Sequence, residues 1–297
     1  DVRVSSIPTV YGEKIVMRLT NKEKLTRDKR ELGLSDDDMK RFDQMLAHPH
    51  GIILVTGPTG SGKSTTLYTA LSELNRETVN IVTVEDPVEA NIDGVNQIQV
   101  NPKADMTFAS ALRSILRQDP DIIMIGEIRD PETAEIAVQA SITGHLVAST
   151  LHTNSTSASI ARLLNMGIEP YLMADALVGV VAQRLVRKLC RCKRGREATA
   201  QEKEELGVNQ DEVLTIYEPA GCQLCSQTGY FGRTAVYEMM PVTPELRWAI
   251  TKMQPSSKVK EIAQREGMIT LRGSAVRLVR EGVTSLEEMK KIASEED

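Results

Sequence analysis

The sequence predicts an α/β protein built around a buried parallel sheet that carries a phosphate-binding loop. Three observations predict it. Residues 52–66 read IILVTGPTGSGKSTT: a short apolar run, a glycine-rich turn, then a segment with helical potential to residue 74. This is the G-x-x-x-x-G-K-[ST] pattern in the strand–loop–helix context it requires. Three further apolar runs, 79–84, 122–125 and 146–150, are interleaved with helical segments 108–118 and 132–142. Continuous apolar runs suit strands buried on both faces, and strands alternating with helices imply right-handed parallel crossovers. Each run also ends in a polar cluster: Glu85-Asp86-Pro87, then Gly126-Glu127-Ile128-Arg129-Asp130, then Leu151-His152-Thr153-Asn154. Ligands of such sheets sit at the carboxyl ends of the strands, so these clusters should converge on the edge that holds the glycine loop.

The 297 residues can bury a large core and suggest two or more units. A hydrophobic content of 41% and a charged content of 26% are those of a soluble globular protein. No apolar run approaches the roughly 18 residues needed to cross a bilayer, and no basic-then-apolar leader is present. The chain begins at Asp1, in mid-pattern and without Met, which reads as a fragment. Net charge is −5, and only ten residues are aromatic: one Trp, six Tyr and three Phe. Sequence-independent nucleic-acid binders combine a basic surface with stacking aromatics, so no nucleic-acid partner is expected.

Residues 1–20 alternate in polarity and read as two short strands, the tail of a small sheet domain, followed by a charged linker at 21–30. Ser35 is a plausible N-cap for a helix whose one face carries Met39, Phe42, Met45 and Leu46. After the strands already named, residues 155–185 read as helical, with Met166 and Met173 spaced for packing. Composition then shifts to two cysteine pairs, Cys190/Cys192 and Cys222/Cys225. The remainder reads as small helices broken at Pro244, Pro255, Gly267 and Gly282. The expected divisions are 1–25, a remnant of an N-terminal α+β domain with its linker; 26–188, the nucleotide-binding core; 189–235, a tetracysteine subdomain; and 236–297, a helical C-terminal region.

A triphosphate is a dense anion that backbone N–H groups can wrap only where side chains do not intrude, hence Gly57, Pro58, Thr59, Gly60, Ser61 and Gly62. A helix N-terminus at Lys63, Ser64 and Thr65 adds unsatisfied donors. Lys63 supplies charge for the β- and γ-phosphates, and the Ser64 hydroxyl can ligate Mg²⁺. Hydrolysis of ATP also needs a carboxylate to orient water. Glu85 and Glu127 are the candidates. Glu127 stands where the second acid of a Walker B segment belongs. The first position is Gly126, so Glu127 acts as general base or holds Mg²⁺ through water, and Glu85 takes the complementary role. Both could instead be tied up with nearby arginines. His145 and His152 bracket the 146–150 strand, and a histidine beside a γ-phosphate can report its presence by hydrogen bonding. Arg3, Arg18, Arg113, Arg117 and Arg129 are candidates to stabilise phosphoryl transfer, or are surface ion pairs. Four paired cysteines point first to a structural Zn²⁺ site, with redox-active or free thiols as the alternative.

These motifs resemble one family: the secretion ATPases of type II secretion and type IV pilus assembly. The resemblance rests on VRVSSIPT, GEKIVMRL, GPTGSGKSTT, VTVEDPVE, LRQDPDIIMIGEIRDPETAEIA, TGHLVASTLHTN, AQRLVRKLC and GCQLC…GYFGRTAVYE. It implies a RecA-like core and a hexameric ring that hydrolyses Mg-ATP. The ring would sit in the cytoplasm, peripheral on the cytoplasmic face of the inner membrane, beside the inner-membrane platform and assembly proteins of the machine. It further implies zinc within 190–225, where the first pair, C-x-C, departs from common zinc knuckles. Arg3 and Arg18 fall on positions from which arginines of the preceding domain reach the nucleotide. The rival readings are a pilus retraction motor, a nucleic-acid translocase with a RecA-like core, and a scaffold that binds nucleotide without turnover.

Overall fold

The computed structural model describes residues 2–19 and 27–294; the side chains of Arg3, Arg18 and Leu19 lie outside that description, as do residues 21–26 of the expected linker. Strands β1 (Val2–Thr9) and β2 (Gly12–Leu19) form an antiparallel hairpin in which Arg3 stands opposite Arg18 in register. The apolar side chains Val4, Ile7, Ile15 and Val16 of this hairpin are exposed. Helix α1 (Asp36–Leu46) starts at the expected cap: the Ser35 hydroxyl accepts from the Asp38 N–H while the Asp38 carboxylate takes the Ser35 N–H.

The centre is a seven-stranded sheet. Its members are β3 (Gly51–Thr56), β4 (Ile81–Glu85), β5 (Asn96–Gln99), β6 (Ile122–Ile125), β7 (Leu146–Leu151), β8 (Leu177–Leu189) and β11 (Tyr230–Pro241), in the order β11-β8-β3-β7-β6-β4-β5. All neighbouring pairs are parallel except β11 on β8. Helices cover both faces. Ile52 and Leu54 of β3 join the side packed by α3 (Phe108–Ile115), α4 (Pro131–Ile142), α5 (Thr156–Asn165) and α6 (Pro170–Ala176). Ile53 and Val55 join the opposite side, with Phe42 and Met45 of α1 and Leu67, Tyr68 and Leu71 of α2 (Lys63–Leu74). Period-2 alternation into two cores is why the β3 run is apolar throughout.

One expectation changes. Residues 177–185, expected to be helical, form most of β8. The run LVGVVAQRLV is rich in β-branched residues, and a Cβ on Gly179 would lie 2.1 Å from the Met45 sulfur, so the strand lets α1 lie close against it. The boundaries expected at 188/189 and 235/236 fall inside β8 and β11, which are adjacent strands of one sheet. The cysteine-bearing stretch, with the small pair β9 (Arg194–Glu197) and β10 (Thr215–Glu218) and helix α7 (Ala200–Glu205), leaves from β8 and returns on β11. Beyond β11 come α8 (Pro244–Thr251), α9 (Ser256–Arg265), α10 (Leu271–Arg280) and α11 (Leu286–Ala293).

Leu54 is fully buried at the centre of the sheet. Leu54→Ala should therefore cost about 3 kcal/mol from lost transfer energy plus a residual cavity. Urea unfolding would show it as a lower midpoint at unchanged slope.

Candidate functional site

The glycine loop follows β3 directly. Gly57 has φ 149°, and a Cβ there would lie 2.4 Å from the Gln183 carbonyl and 2.7 Å from the Ser61 hydroxyl, so no side chain fits. A Cβ on Gly62 would meet the Gln183 amide at 2.8 Å. Gly62 also N-caps α2 without any side-chain capping bond, so no side chain competes for the first-turn N–H groups, among them those of Lys63, Ser64 and Thr65. Pro58, Thr59 and Gly60 are exposed at the tip, whereas Ser61 is 3% exposed and its hydroxyl has no partner among the described residues. A cradle that excludes side chains, with an unsatisfied buried hydroxyl in it, fits a phosphate.

Lys63 is 9% exposed, and its ammonium donates to the carbonyls of Gly57 at 2.9 Å and Pro58 at 3.0 Å. Burial lowers its pKa from the ordinary value and the negative charge of Glu127 opposes that. Glu127 follows β6. Its carboxylate meets Arg129 at 2.5 Å and the Nε2 of His152 at 3.2 Å, and its side chain is 12% exposed. The turn after β7 is tied to the start of the loop: the Thr56 hydroxyl lies 2.6 Å from that of Thr153 and accepts from the Thr153 N–H at 3.0 Å. Lys63, Glu127, Arg129 and His152 thus gather at one edge. Gly126 also has a local cause. A Cβ there would stand 3.3 Å from both the Val84 carbonyl and the Glu85 Cα, tight for any side chain.

Other expected residues go elsewhere. Glu85 is 4% exposed, and its carboxylate accepts from Tyr68, from the Thr83 hydroxyl at 2.6 Å and from the Gln97 amide at 3.1 Å. Three donors thus hold this carboxylate in a buried network, whereas Glu127 meets His152 and Arg129. His145 precedes β7 and so lies at the amino end of the strand, opposite to His152. Its Nδ1 is 2.8 Å from the Ala140 carbonyl, and its own carbonyl accepts from the Gly51 N–H, at the start of β3. Strand direction thus places His145 at the end of β7 away from the glycine loop. Arg113 pairs with Glu132 at 2.6 Å.

Three residues at this edge escape the sequence reading. Glu89 brings its carboxylate to the Ser64 hydroxyl at 3.3 Å. It is the last letter of VTVEDPVE, so both glutamates of that box were visible and only packing separates their roles. Gln183 and Arg184 come from β8. Arg184 donates to the Gln183 carbonyl at 3.1 Å and to the Asn154 carbonyl at 3.1 Å, beside the loop. Reading β8 as a helix hid both.

The four cysteine sulfurs all lie within 4.8 Å of one another, and all four are free thiols. Cys190–Cys222 is 3.8 Å, Cys192–Cys225 is 3.9 Å and Cys222–Cys225 is 3.7 Å. Tetrahedral zinc with sulfur at about 2.3 Å implies sulfur–sulfur edges of about 3.8 Å, so the donor set fits that ion. Burial pushes the Cys225 thiol up, but N–H groups of Cys222 and Gly229 donate to its sulfur and bring it down from 9.0 to about 6. Amide donors of this kind orient and charge a thiolate ligand.

Helix α11 forms the far wall of a cavity bounded by Pro58 to Ser61, Arg184 and Leu185, to which it contributes Glu288, Lys291 and Ile292. Arg187 holds Glu288 through its own N–H and through its guanidinium at 2.9 and 3.1 Å. The same guanidinium stacks 3.9 Å from the Tyr230 ring, whose hydroxyl meets Ser285 at 2.8 Å.

A parallel sheet with this loop, this lysine and this acidic edge defines an α/β protein of the P-loop, nucleotide-binding class. The family model described as type II/IV secretion system protein matches residues 1–291, and the chain belongs to that family. It is 49% identical over 295 residues to a putative type II secretion system protein E of Escherichia coli K12, covering 99% of this chain and 60% of that protein. It is 50% identical to the type II secretion system ATPase E of Vibrio cholerae, covering 99% and 59%. It is likewise 50% identical to the type IV pilus assembly ATPase PilB of Myxococcus xanthus, covering 97% and 52%. The chain therefore spans between half and three fifths of the length of these relatives. Among solved structures, the pilus retraction motor PilT with bound ADP superposes with a TM-score of 0.72 at 28% identity, over 98% of this chain and 73% of that one. The Legionella pneumophila ATPase DotB superposes at 0.73 with 22% identity, over 99% and 72%, and shows the fold alone. No helix among the described residues is long and apolar enough to cross a membrane.

Burial alone would raise the Glu288 carboxyl, but bonds from Arg187 and Lys291 win and hold it near 2, against an ordinary 4.5. A depressed carboxylate stabilises the fold fully above its unfolded value and loses that contribution as pH falls through the folded one. Glu288→Gln should therefore destabilise the chain at pH 7 and progressively less from about pH 4.5 toward pH 2. Urea unfolding at pH 7 and pH 3 checks this, and an equal deficit at both would contradict it.

Proposed function

We propose that this chain is the ATP-hydrolysing motor portion of a machine that assembles a pseudopilus or pilus, in type II secretion or type IV pilus formation. The observation that carries the reading is the placement of Lys63 and Glu127 at the same edge: a buried ammonium held by its own loop carbonyls, within the field of a carboxylate bonded to His152 and Arg129. In this reading the loop amides and Lys63 bind the phosphates. The Ser64 hydroxyl, the Glu89 carboxylate facing it and Glu127 are the groups that would hold Mg²⁺, which would supply charge neutralisation for the phosphoryl group. Glu127 accepts a proton from the attacking water, and His152 orients that carboxylate and reports the phosphate beyond it. Arg3 and Arg18, opposite each other on the hairpin, supply cations from outside the loop edge. The working form is a homo-hexamer, peripheral on the cytoplasmic face of the inner membrane, in contact with the machine's platform. The PilT likeness supports a retraction motor as the second reading. Identities of 49–50% to the secretion and assembly proteins, against 28% to PilT, favour assembly.

The cysteine cluster is read as a structural Zn²⁺ site within a subdomain of its own, since four sulfurs leave no position for substrate. The helices after β11 are read as a C-terminal subdomain, and β1–β2 as part of an N-terminal α+β domain.

Lys63→Ala should abolish ATP hydrolysis. Glu127→Gln should keep ATP binding and lower turnover by about 10²–10⁴-fold. Steady-state phosphate release with a parallel nucleotide-binding titration reads both, and wild-type turnover in Lys63→Ala would overturn the site. Elemental analysis should find about one zinc per chain, lost in Cys225→Ser together with thermal stability. A folded wild-type chain free of metal would remove the zinc assignment.

A further inference from the structure

Tyr68 is the least exposed large side chain of α2, with a relative exposure of 0%. It stands one helical turn after Ser64, at i+4, so both side chains lie on one face of the helix. That face meets the segment running from Glu85 to Glu89. The Tyr68 hydroxyl donates to the Glu85 carboxylate and accepts the Glu89 N–H at 3.2 Å. Ser64, one turn earlier, donates to the Glu89 carboxylate at 3.3 Å. The segment is thus clamped to α2 at two levels.

Its other side is clamped as well. Glu85 takes the Thr83 hydroxyl and the Gln97 amide; Gln97 also donates to the Ala90 carbonyl at 3.0 Å and accepts the Ile92 N–H at 2.7 Å. Residues 85–92 therefore wind around a buried polar centre made of Tyr68, Glu85 and Gln97. A buried carboxylate with three donors is a rigid anchor, and fully satisfied buried networks fix a single arrangement of the chain that carries them.

We propose that Tyr68 and Glu85 are positioning residues: they set where the Glu89 carboxylate stands relative to the Ser64 hydroxyl, and so how tightly a divalent cation is held with the nucleotide. The assignment rests on the ATPase reading above. It gives Glu85 a task different from that of Glu127, although both acids end a strand of the same sheet. Outer partners that orient a ligating side chain carry about 10–100-fold of metal affinity or activity.

The test is the Mg²⁺ dependence of binding of a fluorescent ATP analogue, and of ATP hydrolysis, by this chain and by Tyr68→Phe, Glu89→Gln, the double variant and Lys63→Ala. Thermal unfolding without nucleotide is measured alongside. Tyr68→Phe should raise the Mg²⁺ concentration for half-saturation by about 10-fold, with binding recovered at high Mg²⁺. Glu89→Gln should do the same, and the double variant should be no worse than Glu89→Gln alone, because one residue acts through the other. Gln97→Leu, which frees the segment from β5 and leaves α2 intact, should shift Mg²⁺ dependence in the same direction. Additive losses in the double variant, or a lower melting temperature with unchanged Mg²⁺ dependence in both Tyr68→Phe and Gln97→Leu, would overturn the positioning role. Wild-type turnover in Lys63→Ala would instead overturn the ATPase reading itself. A dead Lys63→Ala beside a Tyr68→Phe with wild-type Mg²⁺ dependence would sink only the present inference.

Discussion

A buried ammonium needs compensation, and the edge of this sheet is arranged to give it. Lys63 is almost inaccessible, so its charge must be met within the protein. Two loop carbonyls satisfy two of its three donors, and Glu127 supplies the opposing field. Those carbonyls are in reach only because Gly57 has no Cβ. With one, the loop would be driven off Gln183, and the lysine would lose the backbone that holds it. The turn after β7 is tied to the same point through Thr56 and Thr153, which leaves His152 beside Glu127. Loop, acid and histidine therefore form one mechanical unit. A shift in any of them changes the electrostatics of the lysine.

The second unit lies behind the first. Tyr68, Glu85 and Gln97 join the helix that begins at Lys63 to strands β4 and β5. Burial holds the Tyr68 hydroxyl well above its usual range, and the neighbouring Glu85 adds to this, so the hydroxyl remains a donor. On the other side of the loop, Arg187 and Tyr230 fix the start of α11, whose later residues face the loop tip. Hydrogen-bonded polar networks thus stand on two sides of the phosphate loop, one behind its helix and one across the cavity at its tip.

Much of this was legible in the sequence, and what was not has particular causes. Strands β3, β4, β6 and β7 announce themselves because both faces are buried, which makes them continuously apolar. β5, with the residues NQIQ, lies at the sheet's edge and carries little apolar signal. β8 looked helical because its Leu and Arg residues are good helix formers. Its strand state follows from pairing with β3 and β11, contacts that local propensity does not register. Glu85 and Glu89 are chemically identical; one meets Tyr68, Thr83 and Gln97 while the other meets Ser64, and only packing decides which. His145 and His152 flank one strand, and the direction of β7 alone sends them to opposite edges of the sheet. The resemblance to secretion ATPases was visible in contiguous motifs and is matched by the family assignment. The inter-element contacts of Tyr68 and Arg187 leave no contiguous motif to read.

The cysteine-bearing excursion departs after Leu189 and rejoins the sheet at Tyr230, and those two residues face each other in register. Its ends are thus held at the spacing of a single strand pair, whatever lies between them. The stretch is nonetheless no free insert: Leu206, Val208, Leu214 and Ile216 share one buried core with Val186 and Val236 of the sheet and with Leu271, Leu278 and Met289 of α10 and α11, so its packing reaches the strand that carries Gln183 and Arg184.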